Sequence, residues 1–238
     1  MLLSVLAVLA LALSPVDAYN QGNRLYAQKD YARAAQSYEQ ALAAGPNARV
    51  LYNLGNALFK SGSVGRAILA YRRARYLAPR DADVRANLAF ARAYRVDKLL
   101  AAPSPLAALL DDLGHRLSHR EATLGAAVAF ALAALALAGW IVRRWDALLA
   151  LAVAGAIAAL ACLVCQQTWA AEVDSRPAVV VVAEASAASG PTDDAKEILQ
   201  VHDGTEVRIR ETRGDWLLVQ VPGGAGGWLR KGAVERVY

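Results

Sequence analysis

The chain has 238 residues, of which 56% are hydrophobic, with a formal net charge of +5 and a mean hydropathy of +0.26. That balance is too apolar for one ordinary globular domain and suits small soluble domains around a membrane anchor. The charge is regional: residues 19–100 hold 14 Lys/Arg against 5 Asp/Glu, net +9, and residues 171–238 hold 8 against 11, net −3. The basic region points to an acidic partner surface or to anionic lipid; no nucleic-acid motif accompanies it.

Residues 1–18 form a leucine- and alanine-rich run broken by Pro15 and ending Val16-Asp17-Ala18, which fits a signal peptide cut after Ala18 although a basic start is missing. From residue 19 the chain repeats itself. Gly22, Ala34, Tyr38, Ala41 and Pro46 recur 33 residues later as Gly55, Ala67, Tyr71, Ala74 and Pro79. This pattern resembles the tetratricopeptide repeat, in which paired helices cross at small residues with an aromatic between them and a proline ends the second helix. A third start at Asn87-Leu88-Ala89 has no recognisable second helix, since Arg92 stands where an apolar residue belongs. Residues 19–100 therefore read as an all-α solenoid of two repeats plus a capping helix.

The resemblance puts Asn20, Asn23, Tyr26, Asn53, Asn56, Lys60 and Asn87 on the concave, partner-binding face. Asparagine there holds a peptide backbone or carboxylate, or else bonds the neighbouring repeat. Arg49 and Lys60 are too few cations for the carboxylate clamp of some relatives. Arg66, Arg72, Arg73, Arg75, Arg80, Arg85, Arg92 and Arg95 read either as solvated helix faces or as a docking surface for an acidic partner or the membrane.

Residues 101–118 form a linker in which residues 105–117 make a short amphipathic helix, with Leu106, Leu109, Leu110 and Leu113 on one side. Ser118 and Glu121 make a capping box before an apolar run. Residues 119–142 and 146–166 are two transmembrane helices, each near the ~20 residues that cross a bilayer, joined so tightly at Arg143–Asp146 that they must form an antiparallel hairpin. Gly125, Ala129, Gly139 and Gly155 offer close helix contact, and Trp140, Trp145 and Trp169 lie at the span ends as interfacial aromatics. Arg143 and Arg144 favour a cytoplasmic joint, Arg116 and Arg120 weigh against it, and the signal peptide decides for both soluble domains being exported.

Residues 171–238 read as five short strands with tight turns at Asp203-Gly204, Gly214-Asp215 and 222–227, a small closed barrel. The order residues 178–183, Gly204-Thr205, 216–219, Gly227-Trp228 and Val234 resembles the bacterial SH3-like domain. Trp216 and Trp228 either line a peptide groove or fill a small core.

Enzyme chemistry finds little support. His115 and His119 share a helix face, but Arg116 occupies the position where a zinc protease has its glutamate. Cys162 and Cys165, the only cysteines, have redox spacing but lie in an apolar span, where they read as filler. The order signal, repeats, two-span hairpin and SH3-like domain resembles the BatE-like members of the aerotolerance (Bat) group. That resemblance implies a multidomain, non-enzymatic scaffold of the bacterial inner membrane without cofactor or metal, both domains periplasmic. It would bind von Willebrand A domain membrane proteins of a MoxR-type system, with membrane lipid around it and no nucleic-acid or small-molecule ligand. Alternatives are a peptidoglycan-binding protein and a membrane redox or metal protein using Cys162/Cys165 or His115/His119.

Overall fold

The computed structural model describes residues 14–97 and 104–238; the expected signal run lies mostly outside these, as do residues 98–100 of the expected repeat domain and 101–103 of the linker. Five helices come first: α1 (Pro15–Ala27), α2 (Tyr31–Ala41), α3 (Ala48–Lys60), α4 (Val64–Leu77) and α5 (Ala82–Ala93). Their starts are written locally. Ser14, Asp30, Asn47 and Asp81 each accept hydrogen bonds from first-turn N–H groups, satisfying donors that the helix leaves free. Pro15 does not break a helix but opens α1, where its missing N–H costs nothing, so the expected cut after Ala18 falls within the first turn of α1.

The 33-residue recurrence has a direct physical basis. A Cβ on Gly22 would meet the Tyr38 ring at 2.6 Å, and one on Gly55 would meet Tyr71 at 2.5 Å, so each glycine lets its helix pair close over a tyrosine. Each tyrosine hydroxyl then donates to an asparagine on the facing helix, Tyr38 to Asn23 at 2.8 Å and Tyr71 to Asn56 at 2.7 Å.

After the solenoid come α6 (Pro105–Gly114), α7 (His119–Arg143) and α8 (Asp146–Asp174). The Ser118–Glu121 capping box forms as expected and starts α7. Both α7 and α8 are long and apolar enough to cross a membrane; only 6% and 11% of their most apolar windows are buried, unlike the core helix of a soluble protein. They pack antiparallel through small residues, Gly155 against Ala133 and Gly125 against Cys162. The joint turns at Arg144, which takes a left-handed conformation (φ 56°) and lays its guanidinium over Trp140 at 4.9 Å.

The second helix runs eight residues beyond the expected end at 166, because nothing from Gln167 to Asp174 breaks a helix and Trp169 within it is buried against the rest of the protein. Trp169 is 1% exposed rather than interfacial: its Nε1 donates to the Leu117 carbonyl at 2.7 Å, and its ring packs on His115 and Tyr76.

The C-terminal region is one antiparallel sheet of seven strands, β1 (Pro177–Val180), β2 (Glu184–Ala188), β3 (Glu197–His202), β4 (Glu206–Arg213), β5 (Trp216–Gln220), β6 (Gly226–Arg230) and β7 (Val234–Arg236), in the order β3-β2-β6-β5-β4-β1-β7. Five strands in a closed barrel were expected. The order instead ends on β3 and β7, which do not pair with each other among the described strands. The missed strands are β2 and β3. Ser and Ala in β2 carry no strand propensity, and pairing along β3 from Glu184↔His202 to Ala188↔Glu197 holds it extended.

The helical and β regions share one core. Val179 of β1 and Val237 at the C-terminus are buried in the cluster that contains Ile68 and Tyr71 of α4. Gly65 makes this approach possible: a Cβ there would overlap the Val180 carbonyl oxygen and the Asp203 carboxylate. Ser63 gives α4 no side-chain cap, and Asp203 supplies it from the β region by accepting from the Gly65 N–H at 3.0 Å. The Asp203-Gly204 turn (Gly204 φ +86°) seats its glycine against Val64, Ile68 and Arg95.

The arginines complete this junction. Glu206 of β4 receives Arg92 at 2.8 Å, Arg72 at 3.1 Å and Arg95 at 3.1 Å, with only 15% of its side chain exposed. Burial opposes its charge, but Arg92, Arg72 and Arg95 outweigh that and hold the carboxyl below its usual range. Removing the charge leaves Arg92 and Arg95 without this counter-ion and Arg72 with Glu172 alone. Glu206→Gln is therefore expected to destabilise the repeat–sheet junction by about 3 kcal/mol, seen as a lowered thermal midpoint and as protease cleavage between the regions in the full-length, detergent-solubilised protein.

Candidate functional site

The concave row is built as an inter-repeat ladder. Asn53 Nδ2 donates to the Tyr19 hydroxyl at 3.2 Å and to Asn23 Oδ1 at 3.4 Å; one repeat on, Asn87 Nδ2 donates to the Tyr52 hydroxyl at 3.1 Å and to Asn56 Oδ1 at 2.8 Å. Asn23 Oδ1 and Asn56 Oδ1 also accept from Tyr38 and Tyr71. One end of each amide thus bonds its neighbours. The other ends, Asn23 Nδ2, Asn53 Oδ1, Asn56 Nδ2 and Asn87 Oδ1, have no partner among the described residues. Asn23, Tyr26, Tyr38, Asn53 and Asn56 line a pocket of about 130 Å³. Asn20 and Lys60 are exposed nearby on α1 and α3 without side-chain hydrogen bonds. Burial pushes the Tyr38 hydroxyl up to about 12, so it stays a donor at all ordinary pH.

The sheet places both tryptophans on one face. Trp216 pairs with Arg230 and Leu218 with Trp228, so these four side chains lie on the face opposite Leu217, Val219 and Leu229, which belong to the core. Arg230 lies over Trp216 at 4.2 Å and Arg213 over Trp228 at 5.3 Å. Trp228 is only 7% exposed yet is not part of the sheet's core cluster, while Trp216 is half-buried. Of the two rings, Trp216 alone is thus partly open to solvent, beneath Arg230, while Trp228 is buried beneath Arg213.

The arginines that read either as solvated helix faces or as a docking surface for an acidic partner or the membrane meet this chain's own carboxylates. Arg66 pairs with Glu39 inside the repeats. Arg72 pairs with Glu172 as well as Glu206; Arg73 with Glu235, Arg75 with Asp111, Arg80 with Glu121 and Arg85 with Asp112. Arg92, where an apolar residue was expected, reaches Glu206, and beyond it Asp97 accepts from the His202 N–H and the Thr205 hydroxyl. The acidic partners Glu172, Glu206 and Asp97 were not singled out from sequence. The available signal was the opposite net charge of the two soluble regions.

His115 does not pair with His119. It is buried against Trp169, with Nδ1 2.9 Å from the Asp111 carbonyl oxygen and Nε2 3.0 Å from Glu172, the latter off hydrogen-bond alignment. Nδ1 is thus engaged, while the buried Nε2 faces the Glu172 carboxylate without an aligned hydrogen bond; no group of three or more His, Cys, Asp or Glu suited to a metal occurs among the described residues. Cys162 faces Gly125 on α7, whereas Cys165 is directed at the Leu113 carbonyl, 3.5 Å away.

With this geometry in view, a tetratricopeptide repeat family model matches residues 19–82, and a bacterial SH3 domain model matches residues 181–235. Residues 19–82 thus carry a tetratricopeptide repeat and residues 181–235 a bacterial SH3 domain, which points to protein–protein interaction or binding. No curated protein matches the chain.

Burial opposes the His115 imidazolium, but Asp111 and Glu172 outweigh it and raise its pKa to about 9 from 6.5; Arg72 and Arg75 stand on the far side of these carboxylates. Because the folded value is the higher one, the stabilisation is complete below about 6.5 and disappears as pH rises through about 9. The thermal midpoint is expected to fall across that window, and His115→Gln, already lower at pH 6, to show a flatter profile.

Proposed function

We propose that the chain is a non-enzymatic, membrane-anchored adaptor of the bacterial envelope, with α7 and α8 spanning the inner membrane and both soluble modules on its periplasmic side. The observation that carries this reading is the pair of outward faces, the asparagine–tyrosine row of the repeats and the face of the SH3 domain that carries the half-buried Trp216, on modules locked together at one end of the hairpin. Two binding faces at a fixed mutual angle suit a scaffold that brings two partners into one geometry. Arg143 and Arg144 at the opposite end support a cytoplasmic joint.

The order of modules resembles the BatE-like aerotolerance proteins, so the partners favoured are von Willebrand A domain membrane proteins of a MoxR-type system. Peptidoglycan binding by this face of the SH3 domain is the second reading, favoured by the outward position of Trp216.

Pull-down from detergent-solubilised membranes with the full-length protein tests the first reading. Asn53→Ala with Asn56→Ala is expected to reduce partner recovery at least tenfold while the protein stays folded; undiminished recovery contradicts a role for the concave row. A phosphatase fused after Tyr238 is expected to be active, and an inactive fusion at normal abundance contradicts the periplasmic assignment.

A further inference from the structure

The concave row displays a fixed pattern of hydrogen-bonding groups. Asn53 Nδ2 spends both of its protons inside the row, on the Tyr19 hydroxyl and Asn23 Oδ1, and Asn87 Nδ2 does the same with the Tyr52 hydroxyl and Asn56 Oδ1. Asn23 Oδ1 and Asn56 Oδ1 each accept twice, from an asparagine and from Tyr38 or Tyr71. Turning over any one of these amides would set oxygen against oxygen or nitrogen against nitrogen. The outward ends are therefore locked: Asn23 Nδ2 and Asn53 Oδ1 form one pair of donor and acceptor, and Asn56 Nδ2 and Asn87 Oδ1 form the next.

A peptide unit is the complement of such a pair, since its carbonyl accepts from the asparagine nitrogen and its N–H donates to the asparagine oxygen. A carboxylate offers acceptors alone and would be repelled by Asn53 Oδ1 and Asn87 Oδ1. The charges around the row agree. Of the residues assigned to this face only Lys60 is cationic, and the repeat arginines Arg33, Arg66, Arg72 and Arg73 are paired with carboxylates of the chain.

The row ends on apolar ground. Phe90 and Tyr94 follow Asn87 by three and seven residues on α5, and Phe59 follows Asn56 by three on α3, so helical spacing carries all three rings along the faces that bear the asparagines. Phe59 lies 5.4 Å from Phe90 and 5.2 Å from Tyr94, and Phe90 lies 5.0 Å from Tyr94, yet Phe90 and Tyr94 stay 54% and 61% exposed. An uncovered aromatic cluster that continues a row of backbone-type donors and acceptors fits an apolar side chain carried by the same bound segment.

We propose that the concave face takes an uncharged, extended segment from the interior of a partner chain, with its peptide units on the two asparagine pairs and an aromatic or branched apolar side chain on Phe90 and Tyr94. The proposal rests on the reading of this face as partner-binding, and it sets aside a terminal carboxylate as the ligand.

The test selects ligands for the full-length, detergent-solubilised protein from two random peptide libraries, one enclosed on both sides by carrier protein and one ending in a free carboxylate. Only binders that Asn53→Ala with Asn56→Ala releases are counted. These are expected from the enclosed library, rich in aromatic or branched apolar residues and poor in Asp and Glu. Asn23→Asp with Asn56→Asp keeps both inward oxygens and turns both outward donors into acceptors, so it is expected to hold the same binders at least tenfold more weakly without a lower thermal midpoint. Phe90→Ala with Tyr94→Ala, at two exposed positions, tests the anchor separately and should weaken them at least fivefold, whereas Arg33→Gln on α2 should leave them unchanged. Equal yield from the free-carboxylate library, enrichment of Asp or Glu, or undiminished binding by either the aspartate or the aromatic variant overturns the proposal. Failure of the underlying reading looks different: if neither library yields a binder that the alanine variant releases, the concave face itself fails and the proposal with it, whereas binders that end in a carboxylate leave the face standing and refute only its specificity.

Discussion

The structure depends on one buried carboxylate. Glu206 gives up water to sit among Arg72, Arg92 and Arg95, and the cost of that desolvation is met only while all these groups stay in place. Around it the other contacts become possible: Asp203 caps α4 from across the junction, Asp97 binds the turn that presents Thr205, and Val179 and Val237 complete the helical core. The chain therefore has no free repeat region beside a free SH3 domain. Each finishes the other, the sheet supplying the cap that a solenoid of little more than two repeats needs.

This arrangement has consequences for what the protein can do. The basic surface of the repeats, which in isolation invites an acidic partner, is largely spent on ion pairs inside the chain. The asparagine row keeps one free end on each amide, and on the sheet Trp216 stays half-exposed beneath Arg230 while Trp228 is buried beneath Arg213. The lower part of the junction is tied to the hairpin through Glu172, which meets Arg72, His115 and the Tyr238 hydroxyl.

Much of this architecture was legible in the sequence wherever the cause was local. The recurrence of Gly22 and Tyr38 as Gly55 and Tyr71 reported a packing contact, Ser118 and Glu121 reported a helix start, and the two apolar runs reported their helices. What escaped was set by partners distant in the chain. The strand at Glu184–Ala188 exists because β3 pairs with it, α8 continues to Asp174 because protein covers Trp169, and Arg92 disrupts a repeat pattern because its partner is 114 residues away. The candidate site divides in the same way. Its residue types were visible from the repeat pattern, but the saturation of one end of each asparagine and the placement of Trp228 outside the sheet's core required the fold.

The central claim is that the repeats and the SH3 domain form a single rigid body. Spin labels at Gln36 on α2 and Thr212 on β4, in full-length protein carrying Cys162→Ala and Cys165→Ala, test it by pulsed electron paramagnetic resonance. One narrow distance distribution, unchanged between detergent and lipid bilayer, is the predicted result; a broad or multimodal distribution would show two independently moving domains and contradict the account.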